Sequence, residues 1–258
     1  MIRKAIDSDK ETILKFCQNT FSWGDYIEYV WDYWLKEDNL LVFENPSPVG
    51  ICHALTSRNQ LWIEGIRVSP NHRRKKIASE LISYSEKIGL ENKITTSFML
   101  IDTSNTASLN LAISLGYTIV ETWKFYSLLP KTISNIPIQF ENTIDSKLYP
   151  MYIDSWRWFP LDNSSIEKLS TENRIISSPI SNNFSLSILT ESEHFDNTLI
   201  ATLFSKNHES TSNILSYLQN LGMDRKFERI QILTKEELPN HEGLEHKLTF
   251  HLLKKSLV

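Results

Sequence analysis

The sequence predicts an α+β fold, a mixed and mainly antiparallel sheet flanked by helices, with a C-terminal α/β lobe that reads as a degenerate second copy. Three observations lead there. Strand-like runs bounded by Pro, Gly, Ser and Asn follow one another through residues 40–69. Helix and strand patterns then alternate up to residue 129, and a similar alternation returns after residue 184.

Residues 1–6 alternate as a short strand. ETILKFCQNTF, residues 11–21, sets Ile13, Leu14, Phe16 and Cys17 on one helical face. A second helix over 25–36 carries Tyr26, Tyr29, Val30, Tyr33 and Trp34 as an aromatic stripe, which reads as core packing. LLVFE, GICHALTS and LWIEGIRVS follow as three strands of an antiparallel meander. Residues 74–88 repeat apolar positions at Ile77, Leu81, Ile82, Tyr84 and Ile88, giving a helix that stops at Gly89. TTSFMLI is a strand, SLNLAISLGY a helix ending at Gly116, and TIVETWKFYSLL a long strand.

The polar stretch KTISNIPIQFENTIDSK lacks periodicity and places a domain boundary at residue 132, dividing the chain into 1–132 and 133–258. The second part reads as a helix near KLYPMYIDSWRWF, strands at FSLSILT and TLIATLF, a helix over 210–221, and strands at ERIQILTK and KLTFHLLK. TLIATLF, STSNILSYLQNLGM and RIQILTK echo the order of TTSFMLI, NTASLNLAISLGY and TIVETWKF.

With 41% hydrophobic and 22% charged residues the chain can bury a core and has no disorder signature. The net charge of −4 argues against nucleic acid or an anionic membrane as partner, leaving only local basic patches. Cys17 and Cys52 stand far apart without partners at metal-ligand spacing, so both read as buried thiols and no metal is expected. Without a signal-like apolar segment or a membrane-length run, a cytoplasmic location is expected.

The chemically informative segment is WIEGIRVSPNHRRKKIASEL, residues 62–81, where a strand runs through Ser-Pro into a basic loop that opens a helix. Amides of a first helical turn carry partial positive charge, and Arg73, Arg74, Lys75 and Lys76 add full charges, which suits a pyrophosphate. By itself such a run is more often a solvated face. Its place at a strand-to-helix junction favours the phosphate reading.

Val68, Pro70, Arg73, Ile77 and Ala78 resemble the acetyl-CoA pyrophosphate loop of Gcn5-related N-acetyltransferases, the GNAT superfamily. Asn105, Ser108, Leu109, Leu111, Leu115, Gly116 and Tyr117 are similar to that family's second motif, in the right order. The resemblance covers roughly residues 1–129 and implies the acyl-CoA N-acyltransferase fold, with acetyl-CoA as cosubstrate. It implies that the backbone of Ile66 and Val68 holds the thioester arm where two strands splay, that amides from Arg73 to Ala78 bind pyrophosphate, and that Asn105 contacts the coenzyme. Two positions depart from the pattern. Lys76 stands where the loop usually has glycine, and Ala112 where many members carry the tyrosine that reprotonates the thiolate, so no general acid is assigned.

An attacking amine must lose a proton, and Glu64, on the strand facing the acetyl group, is the expected base. His53 on the neighbouring strand is a lesser candidate. Trp62 and Tyr126 are expected to line the acceptor pocket. GDYIEYVWDYWL and IEGIRVSP resemble a two-domain subgroup that includes the animal histidine N-acetyltransferase, which implies Asp25 and Tyr26 at the acceptor site and a free amino acid as acceptor. The expected activity is acetyl transfer to a small-molecule amine. The alternatives are protein or peptide N-terminal acetylation, or a non-catalytic acyl-CoA-binding regulatory protein.

Overall fold

A computed structural model describes residues 1–18, 20, 24–134, 136–178 and 184–258. In chain order the elements are β1 (Ile2–Lys4), α1 (Lys10–Cys17), α2 (Ile27–Lys36), β2 (Leu40–Glu44), β3 (Pro48–Ser57), β4 (Gln60–Val68), α3 (Ile77–Glu91), β5 (Thr96–Asp102), α4 (Thr106–Ser114) and β6 (Thr118–Leu128). There follow β7 (Gln139–Phe140), β8 (Met151–Asp154), β9 (Arg157–Pro160), α5 (Asn163–Thr171), β10 (Ile175–Ser177), β11 (Leu186–Glu191), β12 (Thr198–Phe204), α6 (His208–Arg225), β13 (Arg229–Thr234) and β14 (Leu244–Ser256). Two compact units result. One comprises Met1–Glu121 with His251–Val258, the other Thr122–Phe250. No helix among the described residues is long and apolar enough to cross a membrane.

In the first unit β1 to β4 pair antiparallel in sequence order, and β5 joins β4 in parallel after the α3 crossover. The end of β14 lies between β5 and the start of β6, so the last eight residues of the chain complete this unit. Neighbouring residues of a strand point to opposite faces, and β3 shows what covers each. Cys52 Sγ lies 3.8 Å from Ser85 Oγ on α3, whereas His53 stacks on Trp34 of α2. The α3 side holds the apolar core, where Leu41, Leu61, Ile63, Leu81, Met99 and Tyr117 meet Leu253 from β14.

Most elements match the sequence reading, and the differences have identifiable causes. Helix α1 ends at Cys17, short of the expected 11–21, of which residues 19 and 21 lie outside the described residues. The buried face of α2 is Ile27, Val30, Trp31 and Trp34, a run at i, i+3, i+4 and i+7. Tyr29, assigned to the stripe, is 70% exposed. Gly89 does not stop α3. It lies inside the helix because Leu61 packs so close that a Cβ would meet it at 3.2 Å, and the helix ends instead before Lys93, in the left-handed region at φ 62°.

The second unit repeats the topology. Short β7, β10, β11 and β12 pair antiparallel, and α6 then leads to β13, parallel to β12. Thus β12–α6–β13 corresponds to β4–α3–β5. It does not correspond to β5–α4–β6, the counterpart suggested by sequence, because β14 separates β5 from β6. The expected helix at KLYPMYIDSWRWF is instead the β8–β9 hairpin. Its two-residue turn, Ser155–Trp156, has φ of 47° and 65° without the Gly or Asn that would mark it in sequence.

Leu253 is fully buried although only five residues follow it in the sequence. Leu253→Ala should therefore cost about 2–5 kcal/mol, the usual range for a buried leucine, measured by urea denaturation. A loss below about 1 kcal/mol would contradict the placement of β14 in the core.

Candidate active site

Strand β4 carries a one-residue bulge. Ile51 opposes Arg67 and His53 opposes Glu64, so Cys52 alone faces Gly65 and Ile66. Gly65 takes φ 62°, and a Cβ on it would lie 2.5 Å from the Trp34 ring. Only glycine admits both this turn and that ring. Pairing of β4 with β5 runs from Gln60 to Trp62, opposite Phe98, while β4 itself continues to Val68, so among the described residues the two strands part after Trp62. On this stretch the Ile66 carbonyl accepts from Arg67 Nη1 at 3.1 Å and the Val68 carbonyl from Arg73 Nε at 3.2 Å. Each carbonyl retains a second lone pair.

Beyond β4 the chain makes a turn at Pro70–His72 and enters α3 through Arg73, Arg74, Lys75 and Lys76, all exposed. No side chain caps α3, and its first helical bond runs from the Glu80 amide to the Lys76 carbonyl. By contrast, α4, α5 and α6 are capped by Asn105, Asp162 and Asn207. The amides of Ile77, Ala78 and Ser79 therefore have no acceptor within the helix and follow four exposed cationic residues in the chain, the elements an anion site uses. Arg74 and Lys76 lie in the left-handed region at φ 62° and 63°. A non-glycine residue there costs about 1–2 kcal/mol, which supplies a second reason why glycine suits position 76.

Glu64 is held by His53. His53 Nδ1 lies 2.9 Å from Glu64 Oε1, and Nε2 comes within 2.8 Å of Glu37 Oε2, off the line of a well-formed hydrogen bond. The imidazole is 0% exposed and stacks on Trp34 with ring centroids 4.4 Å apart and planes 2° apart. Burial works against its protonation, but the two carboxylates outweigh burial and raise its pKa above the ordinary 6.5. Glu37 had no signal in the sequence. It is the residue at the end of α2, brought to His53 by the register that places Leu40 opposite His53.

A second brace lies beside the first. Arg67 Nε and Nη2 donate to the two carboxylate oxygens of Asp25 at 2.6 and 3.0 Å, and the guanidinium sits 5.2 Å from the Tyr26 ring centroid. Asp25 Oδ1 also accepts from the Ile27 amide. Both oxygens of Asp25 are thus engaged in fixing the start of α2 to β4. Tyr26 meets Trp34 edge-on at 6.0 Å, and burial pushes its hydroxyl pKa up.

With this geometry in place, the acetyltransferase (GNAT) family model matches residues 10–117. Residues 10–117 belong to the GNAT acetyltransferase family. The enzyme is accordingly an acyltransferase of the class that uses acetyl-CoA as cosubstrate. No curated protein matches it in sequence. Among solved structures, a GCN5-related N-acetyltransferase from Sphaerobacter thermophilus is similar over 100% of this chain and 95% of its own, with TM-score 0.64 at 13% identity. A candidate acetyltransferase from Thermoplasma acidophilum is similar over 99% of both chains, with TM-score 0.67 at 14% identity. A tandem GNAT protein from the clavulanic acid biosynthesis pathway is similar over 100% of this chain and 98% of its own, with TM-score 0.56 at 11% identity. At these identities the likeness is one of fold.

Within the GNAT unit, Asn105 is the N-cap of α4. Its Oδ1 accepts from the Ser108 amide at 3.1 Å, and the residue is exposed. Trp62 is 1% exposed, stacked on Phe98 and donating to Gln60, so it is a core residue rather than a pocket wall. Tyr126 belongs to the second unit, where its hydroxyl donates to Glu237 at 3.0 Å. Ala112 is buried in the core, and both cysteines are buried free thiols, as expected.

Gly65→Ala combines a left-handed backbone with displacement of Trp34. It should lower stability by about 2–5 kcal/mol in urea denaturation and abolish most transfer activity. A loss under about 1 kcal/mol with full activity would contradict the close packing described for the bulge.

Proposed function

We propose that the protein transfers an acetyl group from acetyl-CoA to the amine of a small molecule, with a free amino acid as the favoured class. The observation that carries this reading is the stretch of β4 from 63 to 68. It runs on past the last residue paired with β5, carries Glu64, and leads directly into the basic start of α3, which no side chain caps. A pantetheine arm forms strand-like bonds with such a stretch through Ile66 and Val68. Pyrophosphate fits the amides of Ile77 and Ala78 with Arg73, Arg74, Lys75 and Lys76 around it. Asn105, whose carbonyl is engaged in the cap, contributes its amide group to the coenzyme.

In the reaction the amine nitrogen bonds to the thioester carbonyl carbon while Glu64 takes its proton. The carbon–sulfur bond then breaks, and overall that proton ends on the coenzyme sulfur. Asp25 and Tyr26 border the acceptor through the packing of α2 on β4. Three features support a small acceptor: the resemblance of GDYIEYVWDYWL and IEGIRVSP to the amino-acid-acetylating subgroup, the two-unit length, and the full-length likeness to a tandem protein of the clavulanic acid pathway.

The test is thiol release from acetyl-CoA across free amino acids, other small amines and N-terminal peptides, with wild type and Glu64→Gln. The expected outcome is transfer to one or more small amines, and a turnover lowered about 10²–10⁴-fold in the variant with little change in the KM for acetyl-CoA. Undiminished turnover in Glu64→Gln would overturn the base assignment, and transfer to peptides alone would overturn the small-acceptor reading.

A further inference from the structure

We propose that Glu37, His53 and Glu64 act as one proton-holding unit, in which the buried His53 ring and the remote Glu37 carboxylate are positioning residues that set the basicity of Glu64. The inference rests on the assignment of Glu64 as base and adds what controls it.

The three groups form a line. His53 has no solvent exposure, while the Glu64 and Glu37 side chains at its two nitrogens are 21% and 17% exposed. A ring facing a carboxylate at each nitrogen is stable as an imidazolium, because both nitrogens are then donors. Trp34 lies flat against it and adds cation–π attraction. Gly65 is what lets Trp34 approach so closely. Holding α2 to β3 does not require this arrangement, since apolar contacts would do so without burying charge.

The chemical consequence follows from charge. An imidazolium beside Glu64 alone would withdraw basicity from it, forming a neutral pair that accepts a further proton poorly. Glu37 returns one negative charge, so the unit at rest carries one net negative charge. When the acceptor's proton arrives on Glu64, the unit becomes neutral, and no charge is stranded in the interior. Among the described residues beside it, two titratable groups are neutral and two are paired with each other. Cys52 on β3, pushed up to about 12 by burial, and Tyr26, raised by burial, stay neutral. Asp25 and Arg67 are paired with each other.

The test is the pH profile of kcat in wild type, Glu37→Gln and Glu37→Asp, with KM for acetyl-CoA and thermal stability measured alongside. Removing the Glu37 charge makes Glu64 a weaker base. In Glu37→Gln the acid limb should therefore move down by about one pH unit and plateau kcat should fall about tenfold, with KM for acetyl-CoA unchanged. Glu37→Asp should retain most of the wild-type profile. A Glu37→Gln profile superimposable on wild type, whether or not stability falls, would overturn the inference. If Glu64→Gln is fully active, the assignment of the base fails first. If Glu64→Gln is inactive and Glu37→Gln leaves the profile unmoved, only the role of Glu37 and His53 fails.

Discussion

The parting of β4 from β5 after Trp62 is the constraint on which the rest of the GNAT unit depends. A strand in the middle of a sheet normally spends its hydrogen-bonding groups on both neighbours. Here the bulge at Gly65 turns β4, and the ladder with β5 covers Gln60–Trp62 while the ladder with β3 continues to Val68. The same bulge makes room for Trp34, which seats the His53 ring, which in turn holds Glu64. One left-handed glycine thus couples the backbone edge proposed for the coenzyme to the side chain proposed as base.

Two charged braces secure α2 across this strand, and they differ in kind. Asp25 and Arg67 form a bidentate pair whose donors and acceptors satisfy one another, leaving it suited to fixing geometry. Glu37, His53 and Glu64 form a line with two carboxylates for one ring, an excess of negative charge that suits proton uptake. The second unit has the same strand order, with neither feature among its described residues. β12 pairs with β13 along five residues, the β12–α6 link is short, and Asn207 caps α6. Its counterpart of the coenzyme site is closed by ordinary strand pairing and helix capping.

Legibility in the sequence followed the range of the interactions involved. The strand–loop–helix junction at 62–81 was readable because its elements are contiguous and its basic run is local, and Glu64 could be singled out for the same reason. The His53–Glu37 contact was not, because it depends on the pairing of β2 with β3 across a turn. The pairing of Asp25 with Arg67 spans 42 positions and is one that no spacing rule reveals. The β8–β9 hairpin reads as a helix in sequence because Ser155 and Trp156 adopt a turn that Gly or Asn usually marks. For a similar reason the sequence gives no sign that β14 completes the first unit.

 
 Leu252 and Leu253 read only as an apolar pair in a strand, and nothing near them in the chain says that they complete the sheet of residues 1–121.

In the proposed function, residues 63–68 of β4 and the first turn of α3 together receive acetyl-CoA. Amide hydrogen exchange of the whole protein, with and without acetyl-CoA, tests it most directly. The account predicts slowed exchange on binding within residues 63–68 and at Ile77, Ala78 and Ser79. Binding of acetyl-CoA that leaves exchange in residues 63–68 unchanged would contradict it.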